Sequence, residues 1–147
     1  MAFLPYSADV DKSIPNEDHP AVSGDYRVGQ ALYFENGVLK TASDTNVARY
    51  ICVQESRGHE DGAVLAAHRI NHDVRYQTTA ALAPTVGNSY DVESGGLSLA
   101  ATSSTGNFAV DQTWDDASGV HWAVGRFTED ASARLADIES RLDAGNL

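Results

Sequence analysis

The dipeptide Asn36-Gly37 stands between two β-prone runs, 30–35 and 38–42. Asn and Gly accept the positive φ angles that a two-residue hairpin turn requires, so this stretch is committed to a β-hairpin. The rest of 24–127 continues in the same way. Residues 48–55 carry Tyr50, Ile51, Cys52 and Val53, a strand pattern that stops at 56–62, where Gly58 and Gly62 flank charged residues in an expected exposed turn. Further strands are expected at 63–70 and 74–79, although 63–67 alone could equally be helical. Beyond Pro84, runs at 89–93 and 97–101 flank Ser94-Gly95-Gly96, and runs at 108–114 and 120–127 flank 115–119, giving a second and a third hairpin. Strands recurring about every ten residues, without long helices between them, predict a mainly β domain, a small antiparallel β-barrel or β-sandwich.

The two ends read differently. Residues 1–23 contain Pro5, Pro15 and Pro20, four acidic residues and only scattered apolar anchors. Their apolar content does not offset the entropy of ordering, so an extended N-terminal arm is expected, mobile until it binds. Residues 128–147 change period. Ala131, Leu135, Ile138 and Leu142 form one apolar stripe at helical spacing, with Thr128 as N-cap, Glu129 and Asp130 in the first turn and Gly145 as the stop. This predicts a short C-terminal α-helix, marginal alone in water and in need of a partner surface.

A chain of 147 residues fits one domain, able to bury roughly 70% of the surface its unfolded form exposes. Ten Lys and Arg against twenty-one Asp and Glu give a net charge of −11, which opposes the phosphate field of DNA or RNA. No nucleic-acid partner is expected. The longest uncharged stretches, 76–90 and 94–110, are rich in Thr, Ser, Gly and Asn and unsuited to a bilayer. The brief apolar start, Met1 to Leu4, has no preceding basic residue and meets Pro5 at once, unlike a secretory signal. A single cysteine, Cys52, excludes an intramolecular disulfide and a Cys-rich zinc site.

Candidate chemistry is sparse. His68 and His72 could chelate a metal on a helix, with His59 and Asp73 nearby, but on the strand expected here they lie about 13 Å apart. Asp111, Asp115 and Asp116 cluster around Trp114 without the spacing of a calcium loop, and read as a solvated turn. Trp114 and Trp122 fall on paired strands, where they pack in a core or subunit interface or form a sugar-stacking platform. Cys52 lies in an inward-facing strand context, and Ser118 with His121 makes no triad. Neither G-x-S-x-G nor a phosphate-binding glycine loop occurs. No enzymatic activity, catalytic residue, cofactor or metal is expected.

One constellation is more specific. Arg134-Leu135-Ala136-Asp137-Ile138-Glu139 places Leu at a and Ile at d, a choice that shifts helix association from dimers toward trimers or tetramers. Arg134 at g and Glu139 at e flank that seam, which Leu142 extends. The run resembles the trimerisation motif of short three-stranded coiled coils, and the expected interface of a homotrimer is Arg134, Leu135, Ile138, Glu139 and Leu142. The alternative is a helix docked on its own β domain.

The order Gly24-Asp25, Gly29-Gln30-Ala31-Leu32, Asn36-Gly37-Val38-Leu39-Lys40, residues 48–55 and Asp61-Gly62-Ala63-Val64 resembles the capsid decoration or cement proteins of tailed bacteriophages, including the lambda head-decoration type. The similarity covers about 24–79 and departs at Arg49-Tyr50-Ile51, where such proteins often have a Gly-Ile step. It implies a structural protein, made in the host cytoplasm and sitting on the outer surface of the virion. There it would clamp neighbouring copies of the major capsid protein, commonly as a trimer. On that reading Phe3, Leu4, Tyr6, Val10 and Ile14 are the capsid-contacting residues of the arm. The runner-up is a spike or fibre module that binds host-surface carbohydrate through Trp114 and Trp122, and a third class is a metal-dependent hydrolase built on His59, His68, His72 and Asp73.

Overall fold

The computed structural model describes residues 3–5, 16–43, 46–103 and 106–128. The expected helix over 128–147, with the seam residues Arg134, Leu135, Ile138, Glu139 and Leu142, lies outside the described residues apart from Thr128. So do Tyr6, Val10 and Ile14 of the arm. Within the described residues the chain is mainly β, as its turn chemistry predicts.

Among the described residues twelve strands run in chain order: β1 Leu4–Pro5, β2 Asn16–Pro20, β3 Gly24–Tyr26, β4 Ala31–Glu35, β5 Val38–Thr41, β6 Tyr50–Cys52, β7 Ser56–His59, β8 Val64–Arg69, β9 Tyr76–Ala80, β10 Ser89–Tyr90, β11 Phe108–Asp115 and β12 His121–Phe127. Ten of them form two five-stranded sheets, β2-β8-β6-β4-β5 and β1-β9-β12-β11-β10, and β3 with β7 makes a two-stranded ribbon. Every ladder is antiparallel. The β4–β5 turn has φ of 53° at Asn36 and 80° at Gly37, the conformation this dipeptide was expected to take.

Alternation along the strands distributes the core. Ala31 and Ile51 face the second sheet and join Val74, Tyr76, Phe108, Val110, Ala123 and Phe127 in a shared cluster. Their neighbours Leu32, Tyr50 and Cys52 point to the opposite face, where Leu39, Leu65, Ala67, Tyr26 and Ala21 complete a second cluster. The 93–99 loop locks onto β4. Ala31 N donates to Gly96 O at 2.7 Å, and a Cβ on Gly96 would stand 2.3 Å from Ala31 O, so only glycine fits there.

Several expectations need correction. The first sheet does not close into a barrel. Between its edges β2 and β5 no ladder forms among the described residues: past the end of β2 the chain makes the Ala21–Leu39 bridge and the Val22 N to Leu39 O bond of 3.1 Å, then departs to pair β3 with β7. The expected exposed turn over 56–62 begins with that same β7. The described parts of 1–23 are integrated into the body. Phe3 is fully buried, with ring centroids 5.6 Å from Phe108 and 5.1 Å from Phe127, and β2 pairs along β8. Asn16-Glu17-Asp18-His19-Pro20 carries no apolar run, so backbone hydrogen bonds hold this strand where side-chain burial does not. The expected strand over 97–101 is reduced to bridges at Leu99.

Candidate functional site

The second-cluster face of the first sheet continues outward into an aromatic and cationic array. Register places Leu32 opposite Tyr50 and Tyr50 opposite Arg69. Two residues along β4, Phe34 emerges on the same face as Leu32, and His19 of β2 meets it from the other side. The rings of His19, Phe34 and Tyr50 form a triangle with centroids 5.0, 5.2 and 5.6 Å apart. Arg69 lies with Cζ 5.6 Å from the Tyr50 ring centroid, donates from Nη2 to the Tyr50 hydroxyl at 3.0 Å and faces Glu17 Oε2 from Nε at 3.4 Å. The other Glu17 oxygen accepts from His19 Nε2 at 2.9 Å. These partners, His19 first, hold the Glu17 carboxyl below its ordinary range.

Beyond this array the segments entering β6 and leaving β8 add Val47, Ala48, Arg49, Ile70 and His72, enclosing an open groove of about 580 Å³. Its walls are fixed by backbone bonds, Arg49 N to Leu32 O at 2.8 Å and Ile70 N to Arg49 O at 2.9 Å. Buried Asn107 braces the far end, accepting from Ala48 N at 2.7 Å and donating to Thr128 O. His72 Nδ1 donates to Phe127 O at 2.6 Å. A chain with a net charge of −11 thus lines one groove with two arginines and two histidines. Such a lining suits an anionic group attached to an apolar or aromatic body.

The hairpin of β11 and β12 carries the other exposed feature. Trp114 and Trp122 are directly opposed, their rings 6.1 Å apart and within 5° of parallel, with Trp114 39% exposed. Trp122 Nε1 donates to Asp116 Oδ2 at 2.9 Å, while Asp116 Oδ1 accepts from Ser118 N and Val120 N. Those bonds, the indole's foremost, lower the Asp116 pKa. Asp115 pairs with His121 at 2.7 Å and Asp111 with Arg126 at 3.4 Å. The acidic cluster therefore resolves into a turn anchor and two surface pairs.

The histidines singled out in the sequence do not converge. His59 bonds Ser56 Oγ and Ala63 O, His68 is buried against Tyr76, and His72 sits past the end of β8 in the groove wall. Among the described residues no group of three His, Cys, Asp or Glu side chains is placed to hold a metal ion. Cys52 is buried, its Sγ donating to Gln54 O at 2.9 Å, and desolvation raises its pKa, which disfavours the thiolate. Of the arm residues, Phe3 is spent on the core and Leu4 is 51% exposed at the edge of the second sheet. Sequence reading missed the groove because Arg49, Arg69, His19, Phe34 and Tyr50 sit on four separate segments that only strand register unites. No protein-family model, curated protein or solved structure matches the chain. Among the described residues no helix is long and apolar enough to cross a membrane.

Proposed function

We propose that this chain is a non-enzymatic structural protein of a virion, a decoration protein that binds the outside of a phage capsid and cements neighbouring major capsid subunits. The finer architecture belongs to the same proposal: a β-sandwich body, and a C-terminal helix joining three copies through Leu135, Ile138 and Leu142, flanked by Arg134 and Glu139. The observation that supports it most is how the body uses its buried polar groups. Gln30 bonds Arg27 N and Gly95 O, Asp91 bonds Gly106 N and the Thr102 hydroxyl, and Asn107 bonds Ala48 N and Thr128 O. Each pins a loop to the sheets, as a rigid clamp needs. The resemblance over 24–79 supports it as well, since its turn signals fall on the β4–β5 hairpin and the Asp61-Gly62 turn before β8.

The test is to mix the purified chain with tailed-phage capsids stripped of their decoration protein and examine them by electron microscopy. Ordered density at symmetry-related positions outside the shell, with raised resistance of the shell to heat, is expected. Shells that stay bare at saturating protein refute the proposal.

The parallel indoles favour a second reading, a carbohydrate-binding spike or fibre module, because the exposed face of Trp114 offers a flat apolar surface to a sugar ring. Glycan-array binding lost on Trp114→Ala supports that reading, and an array with no signal removes it.

A further inference from the structure

We infer that the outer edge of β11, beyond its contact with β10, is a docking site for an extended basic segment of another protein, which joins the second sheet there as an added strand. The inference depends on neither the capsid nor the sugar reading.

The edge is open because β10 is short. It pairs with β11 at Phe108 and Ala109, and one further set of bonds, Val110 N to Asn88 O at 3.0 Å and Gly87 N to Val110 O at 2.9 Å, ends the contact. A bulge follows at Asp111, and from Gln112 to Asp115 the described ladder of β11 is with β12 alone. The turn beyond fixes which backbone groups face outward. Asp116 N donates to Val120 O at 3.0 Å, so alternation makes Trp114–Trp122 and Gln112–Val124 the bonded pairs. The amides and carbonyls of Thr113 and Asp115 then point away from β12, and no other described segment supplies them with a backbone partner. Such a row, already held in strand geometry, is a template for another strand.

Charge and one exposed ring select the occupant. Trp122 and Arg126 share a face of β12, and Trp114 stands opposite Trp122 on that face. Asp116 reaches the same face through its bond to the Trp122 indole, and Asp111 through its pairing with Arg126. The exposed Trp114 ring is thus flanked along the edge by two carboxylates, with Arg126 as the cation that Asp111 already holds. Asp115, paired with His121, adds a third carboxylate at the edge, its side chain more than half exposed. A second copy of this chain would bring these carboxylates against their own kind, each copy carrying a net charge of −11. A strand with arginine at alternate positions meets no such opposition. One guanidinium lies over the Trp114 ring between Asp111 and Asp116, while the intervening residues exchange backbone hydrogen bonds with Thr113 and Asp115. The backbone bonds supply the docking and the alternation supplies the selectivity.

The experiment uses the full chain and a blocked hexapeptide alternating arginine and threonine, with amide hydrogen exchange read by NMR. In the free chain the Thr113 and Asp115 amides should exchange as open amides do. Saturating peptide should slow both by about tenfold or more, while the Gln112 and Trp114 amides, already bonded to β12, change little. The same peptide N-methylated at its threonines keeps every charge and loses the donors that face the edge, so its affinity by calorimetry should fall about tenfold. Trp114→Ala should weaken the unmethylated peptide by about two- to fivefold. Equal binding of the methylated peptide would reduce the contact to charge attraction and overturn the proposal. An affinity indifferent to Trp114→Ala would overturn it too, as would no binding at all. Thr113 and Asp115 amides already protected in the free chain, whether within a monomer or within a dimer seen by sedimentation, would show the edge to be taken and overturn it equally.

Discussion

Acid should unfold this protein through one buried imidazole. His68 projects from β8 into the space between the sheets, 5% exposed, its ring stacked on Tyr76 at 5.9 Å and 22°. The Tyr76 hydroxyl lies 3.1 Å from His68 Nε2. Burial pushes the His68 pKa from 6.5 down to about 4. Burial likewise raises Tyr76 to about 12. The unfolded chain therefore binds a proton, between these two His68 values, that the folded chain refuses. The His68 contribution is fully present above pH 6.5 and drains away as pH falls toward 4. The slope approaches about 1.4 kcal/mol per pH unit and the total is about 3 kcal/mol. For a domain of this size that corresponds to roughly 10 °C in Tm. Urea unfolding at half-unit steps from pH 7.5 to 4 measures it, with His68→Gln as reference because Gln keeps an acceptor near the Nε2 position and does not titrate. The wild-type curve should fall more steeply than the variant's across that window. Parallel curves would show that His68 is protonated at no cost, and the account of its burial would be wrong.

Three other outcomes follow from the packing. Phe3→Ala empties the site between Phe108 and Phe127 and should cost about 3 to 5 kcal/mol in chemical denaturation, an outcome that a dispensable arm would not give. Thr78 Oγ1 is buried with no hydrogen-bond partner among the described residues, so Thr78→Val should raise stability by about 1 kcal/mol; a loss would reveal a partner for that hydroxyl. Gly96→Ala forces a Cβ against the Ala31 carbonyl at a φ of 74° and should destabilise by about 2 kcal/mol or more, with faster hydrogen exchange at the Ala31 amide.

Local chemistry made part of this fold legible in the sequence. Asn36-Gly37 and the 115–119 turn each announce a hairpin because the turn residues themselves impose the geometry. β2 and β7 were not legible. Their sequences, Asn-Glu-Asp-His-Pro and Ser-Arg-Gly-His, hold few apolar side chains, and their place is set by backbone pairing with strands distant in the chain. The groove was hidden for a related reason. Tyr50 and Arg69 are neighbours only through the β6–β8 register, and Phe34 and His19 only through the strands beyond, so no window along the chain contains the site. The stacked tryptophans were half legible, since the hairpin could be read but the approach of the two indoles could not.

The seat of Phe3 bears on how the protein is made. That ring needs Phe108 and Phe127 as walls, its amide needs the carbonyl of Gly29, and the strand that follows it needs Tyr76 and Gln77. Phe3 must therefore wait for a site completed by residues made more than a hundred positions later. Until Phe127 emerges, an exposed phenylalanine and an unpaired edge at β9 coexist on the nascent chain. Closure over so long a loop is slow. The second sheet is consequently the last part of the body to become resistant to proteases during synthesis, although its β1 strand is translated before the other described strands.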